Sequence, residues 1–179
     1  MTLEEMKEKV YSMIEEYNEE AEDLTEDEDF ALKMNSVINQ VQNELARIKK
    51  LPASKEIYVE EGQIMKLDAI DKDMYQLDKI KGVDVDIDLN EVTFKEEGTA
   101  KVYYYKYPKQ IDSSTEDDYI FELSTDVLEI MPYGVAGDLL KSDVSSQYGA
   151  VYSSRYRELL QGLDTRYGIG EVYIDGGIS

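Results

Sequence analysis

The sequence predicts an α+β fold: a helical bundle made of two helical hairpins with a small antiparallel β domain inserted between them. Three observations carry this. Apolar residues recur at helical spacing from Leu3 to Ile48, the period drops to two between Lys55 and Tyr107, and helical spacing returns from Asp126 to Leu163. A chain of 179 residues with 42% apolar content suits one domain with an insertion and a real core. The expected division is 1–51 with 119–164 as the helical domain, 52–112 as the inserted β domain, and 165–179 as an extended C-terminal tail.

The first helix is expected over residues 2–24. Thr2 and Glu5 form a capping box, because hydroxyl and carboxylate each satisfy a free backbone N–H. Leu3, Met6, Val10, Met13, Ile14, Tyr17, Ala21 and Leu24 then share one face. A second box, Thr25-Glu26-Asp27-Glu28, opens a helix carrying Phe30, Met34, Val37, Ile38, Val41, Leu45 and Ile48. Lys49 and Lys50 suit its C-terminal dipole, and Leu51-Pro52 stops it. The short link makes the two helices antiparallel neighbours. Ten acids and no base lie between Glu15 and Asp29, which reads as a solvated helix face.

Five or six short strands follow. Ile57 and Val59 alternate with polar residues, followed by Met65-Lys66-Leu67-Asp68-Ala69-Ile70 and then by Leu77 and Ile80. In "GVDVDIDLN", Val83, Val85, Ile87 and Leu89 fall on one face and Asp84, Asp86 and Asp88 on the other. Val92 and Phe94 lead to a turn, and Val102 to Tyr107 returns as a strand until Pro108. Residues 109–118 read as a polar linker, and 119–123 as extended.

"DVLEIMPYGVAGDLLKSD" (126–143) has helical spacing in Leu128, Met131, Val135 and Leu139, yet Pro132 and Gly134 sit inside the run. Interior proline costs about 3 kcal/mol unless a first turn or a kink absorbs it. The expectation is a first segment over 126–131, capped by Ser124-Thr125, then a bend and a continuation to Leu140. Gly134, Ala136 and Gly137 give a small-residue face for close approach of another backbone. The last helix, 144–163, places Tyr148, Val151, Tyr152, Tyr156, Leu159, Leu160 and Leu163 on one stripe.

With no Cys and no His, disulfides, Cys or His metal sites and Ser-His-Asp triads are excluded. No apolar run spans a membrane and no secretory signal is expected. Net charge is −21, spread over the whole chain, so the surface repels nucleic acid. Asp84, Asp86 and Asp88 match the start of a calcium loop, but Leu89 stands where its glycine belongs and Lys95 where its final acid belongs. Gly168-Ile169-Gly170 lacks the context of a phosphate loop. Forty acids make any carboxylate pair uninformative. No cofactor, metal or catalytic residue is expected.

The order of parts, with "KVYYYKYPKQI", "LEIMPYGVAGDLLKSD" and "YGAVYSSRYRELL", resembles the head–tail connector proteins of tailed bacteriophages, also called adaptor or head-completion proteins. The nearest variety has a β domain inserted between helices, as in the tubular adaptors of short-tailed phages. The motifs are Leu-x-x-x-Pro-Tyr-Gly at 128–134 and Arg-Tyr-x-Glu-Leu-Leu at 155–160. The resemblance implies a non-enzymatic virion protein made in the host cytoplasm. It implies a ring, commonly dodecameric, that docks on the portal protein, extends the DNA channel without binding DNA specifically, and carries tail components. It also implies a C-terminal extension, here 165–179, that reaches a neighbour. The interface candidates are Tyr104, Pro132, Tyr133, Gly134, Tyr152 and Tyr156, together with Val172, Tyr173 and Ile174, which can add a strand to another sheet. Competing readings are an acidic DNA mimic that occupies a nucleic-acid-binding protein and a carbohydrate module using Tyr103–Tyr107.

Overall fold

The computed structural model describes residues 1–15, 28–141 and 147–164. It is an α+β chain in which β strands interrupt a helical bundle. The bundle comprises α1 (Leu3–Glu15), α2 (Glu28–Lys49), α4 (Thr125–Leu128), α5 (Met131–Leu140) and α6 (Gln147–Asp164). Between α2 and α4 lie β1 (Pro52–Val59), β2 (Ile64–Lys66), α3 (Leu67–Ile70), β3 (Met74–Lys81), β4 (Val85–Asp88), β5 (Glu91–Phe94) and β6 (Gly98–Lys106). The expected link between the first helices, with Tyr17, Ala21, Leu24 and the Thr25 box, lies outside the described residues, as does the tail.

α1 opens as its sequence dictates. The Thr2 N–H donates to Glu5 Oε2 at 2.9 Å and the Glu5 N–H to Thr2 Oγ1 at 3.2 Å. Leu3, Met6, Val10 and Ile14 are buried on one stripe and share a single core with Met34, Ile38, Val41 and Leu45 of α2, each helix packing chiefly on α5 and not on the other as the short link suggested. α2 ends in a Schellman turn: the Leu51 N–H reaches the Ala46 carbonyl at 3.4 Å, and Lys50 adopts φ 53°, the conformation glycine usually supplies. That turn sends the chain directly into β1.

The insertion starts and finishes at one place. β1 pairs antiparallel with β6 from Pro52↔Tyr105 to Val59↔Gly98, and the Lys106 N–H donates to the Leu51 carbonyl at 3.0 Å. Entry and exit are ladder partners, so the module can be spliced in without spreading the bundle. Its two three-stranded antiparallel sheets run β1-β6-β3 and β2-β5-β4. Val59 and Ala100 of the first pack against Val92 and Phe94 of the second, all fully buried. A second cluster, Ile70, Val102 and Tyr104, fills the space under α3.

The stretch after β6 is fastened, although its sequence reads as a polar linker. Asn39 donates to the Ile111 carbonyl at 2.7 Å and accepts the Ile111 N–H at 2.8 Å, closing a two-bond clamp. The fully buried Gln42 donates to the Lys109 carbonyl at 3.0 Å. Ile111 belongs to the helical core, not to the β module in which the expected boundary at 112 placed it. The expected extended stretch 119–123 pairs with the N-terminus: Thr2 bridges Ile120, and the Leu3 N–H donates to the Tyr119 carbonyl at 2.9 Å.

Pro132 breaks the helix where the sequence demanded an accommodation. α4 stops at Leu128, Glu129 and Ile130 form turns, and α5 restarts at Met131 with Pro132 in its first turn. There a missing N–H costs nothing, since first-turn N–H groups have no intrahelical partner. The expected Ser124 side-chain cap is not made; its hydroxyl donates to Asp126 Oδ1 at 2.5 Å, while its carbonyl receives the Val127 and Leu128 N–H groups. Lys49 Nζ completes this corner on Asp126 Oδ2 at 3.0 Å. Those bonds, the hydroxyl's first, hold the Asp126 carboxyl below its ordinary pKa. α5 packs on α6, α2 and α1, so the halves of the bundle meet through it.

Candidate interaction surface

The interface candidates divide sharply by exposure. Tyr104 is 4% exposed, and Pro132, Gly134, Tyr152 and Tyr156 are buried as well. These residues serve the chain's own core, which corrects the expectation that they are offered to another copy. Tyr152 donates from its hydroxyl to the Met13 carbonyl at 2.8 Å, tying α6 to α1. Tyr156 donates to Glu44 Oε2 at 3.0 Å, tying α6 to α2, and burial followed by the nearby Glu44 charge pushes its pKa far up. The small face of α5 is filled from inside: a β-carbon on Gly134 would lie 2.9 Å from the Tyr156 ring and 3.0 Å from Val41 Cγ1. Among the described candidates only Tyr133 reaches the surface, where it lines a notch of about 480 Å³ with Met13, Pro132, Glu8 and Glu129. Val172, Tyr173 and Ile174 lie outside the described residues. On α6, Val151 is exposed and does not join the buried stripe.

Strand parity explains Tyr104. Ala100, Val102 and Tyr104 alternate inward along β6, leaving Lys101, Tyr103 and Tyr105 outward. The signal was legible, since Lys101 marks the outer face and Tyr103 stands two residues on. Inside, Tyr104 donates to Asp71 Oδ2 at 2.7 Å, and Asp71 Oδ1 accepts the Asp73 N–H at 2.9 Å. Burial and then that hydrogen bond push Tyr104 up to about 12. Burial opposes ionisation of Asp71, yet the Asp73 N–H, the Tyr104 hydroxyl, Lys55 and Lys106 together leave its pKa lowered.

These directions fix the pH dependence. The Tyr104 contribution is complete below its unfolded value of 10.0 and is lost as pH rises toward about 12. The Asp71 contribution is present above its unfolded value of 3.8 and is lost as pH falls through its lowered folded value. Tyr104→Phe keeps the buried ring and removes the bond, so it is expected to cost about 1 kcal/mol at neutral pH. It should also flatten the alkaline loss of stability, read from urea midpoints across that range. An unchanged alkaline slope would exclude this pair as its source.

The outward-facing tyrosines build the surface. On the outer face of β1-β6-β3, Lys79, Lys81 and Lys101 hold their ammonium groups 5.4, 5.7 and 5.8 Å from the centre of the Tyr103 ring. Lys101 also pairs with Glu56 at 3.1 Å and Lys79 with Asp78 at 3.3 Å. Tyr58 is exposed on the same face, because its register partner is Thr99. Toward the bundle, Tyr75 packs against Tyr107 with ring centres 4.9 Å apart and planes tilted by 38° and stacks with Tyr105 at 6.5 Å, while Arg47 lies 5.2 Å over Tyr107. The Tyr75 hydroxyl donates to the Ala46 carbonyl at 3.0 Å, so this aromatic group forms part of the joint between β module and bundle.

The second sheet presents the opposite character. Six acids and one lysine lie between Asp84 and Glu97, around the β4–β5 hairpin. The expected apolar face of that strand is only partly buried: Val83 and Val85 are covered, but Ile87 is 52% and Leu89 90% exposed. Leu89 continues the alternation that places it on this face, but the chain turns there, at φ 50°, and points it outward. Among the described residues, no three acids converge so as to hold a metal ion, and no helix is long and apolar enough to cross a membrane. No protein-family model matches the sequence, and no curated protein matches it.

Proposed function

We propose that this chain is a structural component of a tailed-phage virion, forming a ring at the head–tail junction. The ring docks on the portal protein, extends the DNA channel and supports attachment of the tail. The observation that carries the reading is the architecture: a helical bundle interrupted by a β module whose ends, Pro52 and Tyr105, are ladder partners. This is the layout that the resemblance to connector proteins implies. The net charge of −21 suits a corridor that must pass DNA, since carboxylates offer phosphates no sites to cling to.

Negative-stain electron microscopy of the purified chain, alone and mixed with the portal protein of the same phage, tests it. The expected result is a ring, stacked coaxially on the portal in the mixture. A chain that forms no ring and never binds the portal overturns the reading. A tight, salt-sensitive complex with a basic nucleic-acid-binding protein, without any ring, would favour the acidic mimic instead.

A further inference from the structure

Leu89 occupies a place that leucine fits badly. It stands at the tip of the β4–β5 hairpin with φ 50°, a conformation in which a β-carbon crowds the following carbonyl and which glycine or asparagine normally fills. Its side chain is 90% exposed, and Ile87 beside it is half out of the packed interior. Local strain and an uncovered apolar side chain at one residue are each unfavourable to the isolated fold. Both become sensible if the tip is covered by something else. Its flanks, Asp86, Asp88 and Glu91, are exposed carboxylates.

The outer face of β1-β6-β3 is complementary to that tip. It offers the exposed Tyr58 ring, which covers an aliphatic side chain well, and, further along the same face, Lys79, Lys81 and Lys101 around Tyr103. The ion pairs that Lys79 and Lys101 make locally are solvent-exposed and exchange easily for a docked carboxylate. In a chain with 40 acids against 19 bases, such a lysine group stands out. The two surfaces cannot meet within one molecule. The inner faces of the sheets pack on each other, so the Tyr103 face points away from the β4–β5 hairpin.

We propose that the β4–β5 hairpin of one copy docks on the Tyr103 face of the next, with Leu89 against Tyr58 and with Asp86, Asp88 and Glu91 facing the Lys79, Lys81 and Lys101 group around Tyr103. Each copy donates one surface and receives on the other. The contact is therefore heterologous and propagates from copy to copy, closing into a ring when the rotation permits. The inference rests on the ring reading and names the surfaces that would build it. DNA is the weaker candidate for the lysine face, because the rest of the chain repels a polyanion.

The chain contains no cysteine, which makes disulfide trapping unambiguous. Full-length Leu89→Cys is mixed with full-length Tyr58→Cys under mild oxidation, with portal protein added if the ring needs it. Covalent mixed dimers are expected, well above the yield from Val151→Cys mixed with Tyr58→Cys. In parallel, Leu89→Gly relieves the backbone, so its melting temperature should not fall, while its self-association should weaken by about tenfold or more. If rings form undiminished with Leu89→Gly and no 89–58 disulfide appears, the proposed contact is overturned and the ring reading survives. If no association occurs with or without portal, both fall together. If Lys79→Glu with Lys81→Glu abolishes binding of a double-stranded DNA fragment but leaves self-association intact, the face is a phosphate site and the proposed contact is overturned.

Discussion

Phe94→Ala is expected to cost about 3–5 kcal/mol and to melt the β module ahead of the helices. Phe94 is fully buried between the sheets, and the cluster it belongs to has only Val59, Val92 and Ala100 as its other fully buried members. A core this small has few neighbours able to close around the cavity. Both backbone groups of Phe94 also fasten the β1–β2 turn, its carbonyl accepting the Gly62 N–H at 2.7 Å and its N–H reaching the Gln63 carbonyl at 2.9 Å. Hydrogen exchange should therefore show β4, β5 and β6 amides losing protection while the α2 and α5 amides keep theirs. A single shared transition displaced by less than about 1 kcal/mol would refute the picture of a separately fragile module.

Gly134→Val is expected to cost about 3 kcal/mol, for the opposite reason. Here there is too little space: Val41 of α2 and the Tyr156 ring of α6 already close to about 3 Å on the position of the missing β-carbon. Tyr156 cannot swing away freely, because its hydroxyl is committed to Glu44. Alanine gains about 1 kcal/mol of helix propensity over glycine, which offsets part of the clash, so Gly134→Ala should lose less. Adding Val41→Ala should recover part of the valine penalty in a double-mutant cycle, since it removes one of the opposing methyl groups. Additive losses in urea unfolding would show that α5 does not sit this close to α2.

The long helices and most strands were readable because each follows from a local period, but Leu67–Ile70, expected within the strand run, forms the short helix α3. The Thr2–Glu5 capping box, the α1 stripe and the stop at Leu51-Pro52 all depend on neighbours within a few residues. The interruption at Pro132 was readable for the same reason, though its form as two helices with the proline in the second's first turn depended on how Ile130 turned. The interaction surface was only half legible. The alternation of Thr99, Lys101 and Tyr103 with Ala100, Val102 and Tyr104 carries the parity that separates outward from inward tyrosines. Leu89 obeyed the alternation of its strand and still came out exposed, because the hairpin turned beneath it.

Alone, then, the sequence determined the long helices and most of the strands, that a β module interrupts a bundle, and that the chain is strongly acidic. Periodicity and net charge are properties of the chain itself. Tertiary structure decided who covers whom. Tyr152 and Tyr156 became internal ties because α5 brings α6 onto α1 and α2, while Tyr103 and its lysines were left outside because the sheets close face to face. A tyrosine suits a core and a half-wet surface equally well. Only the partners that distant elements place beside it determine which role it plays.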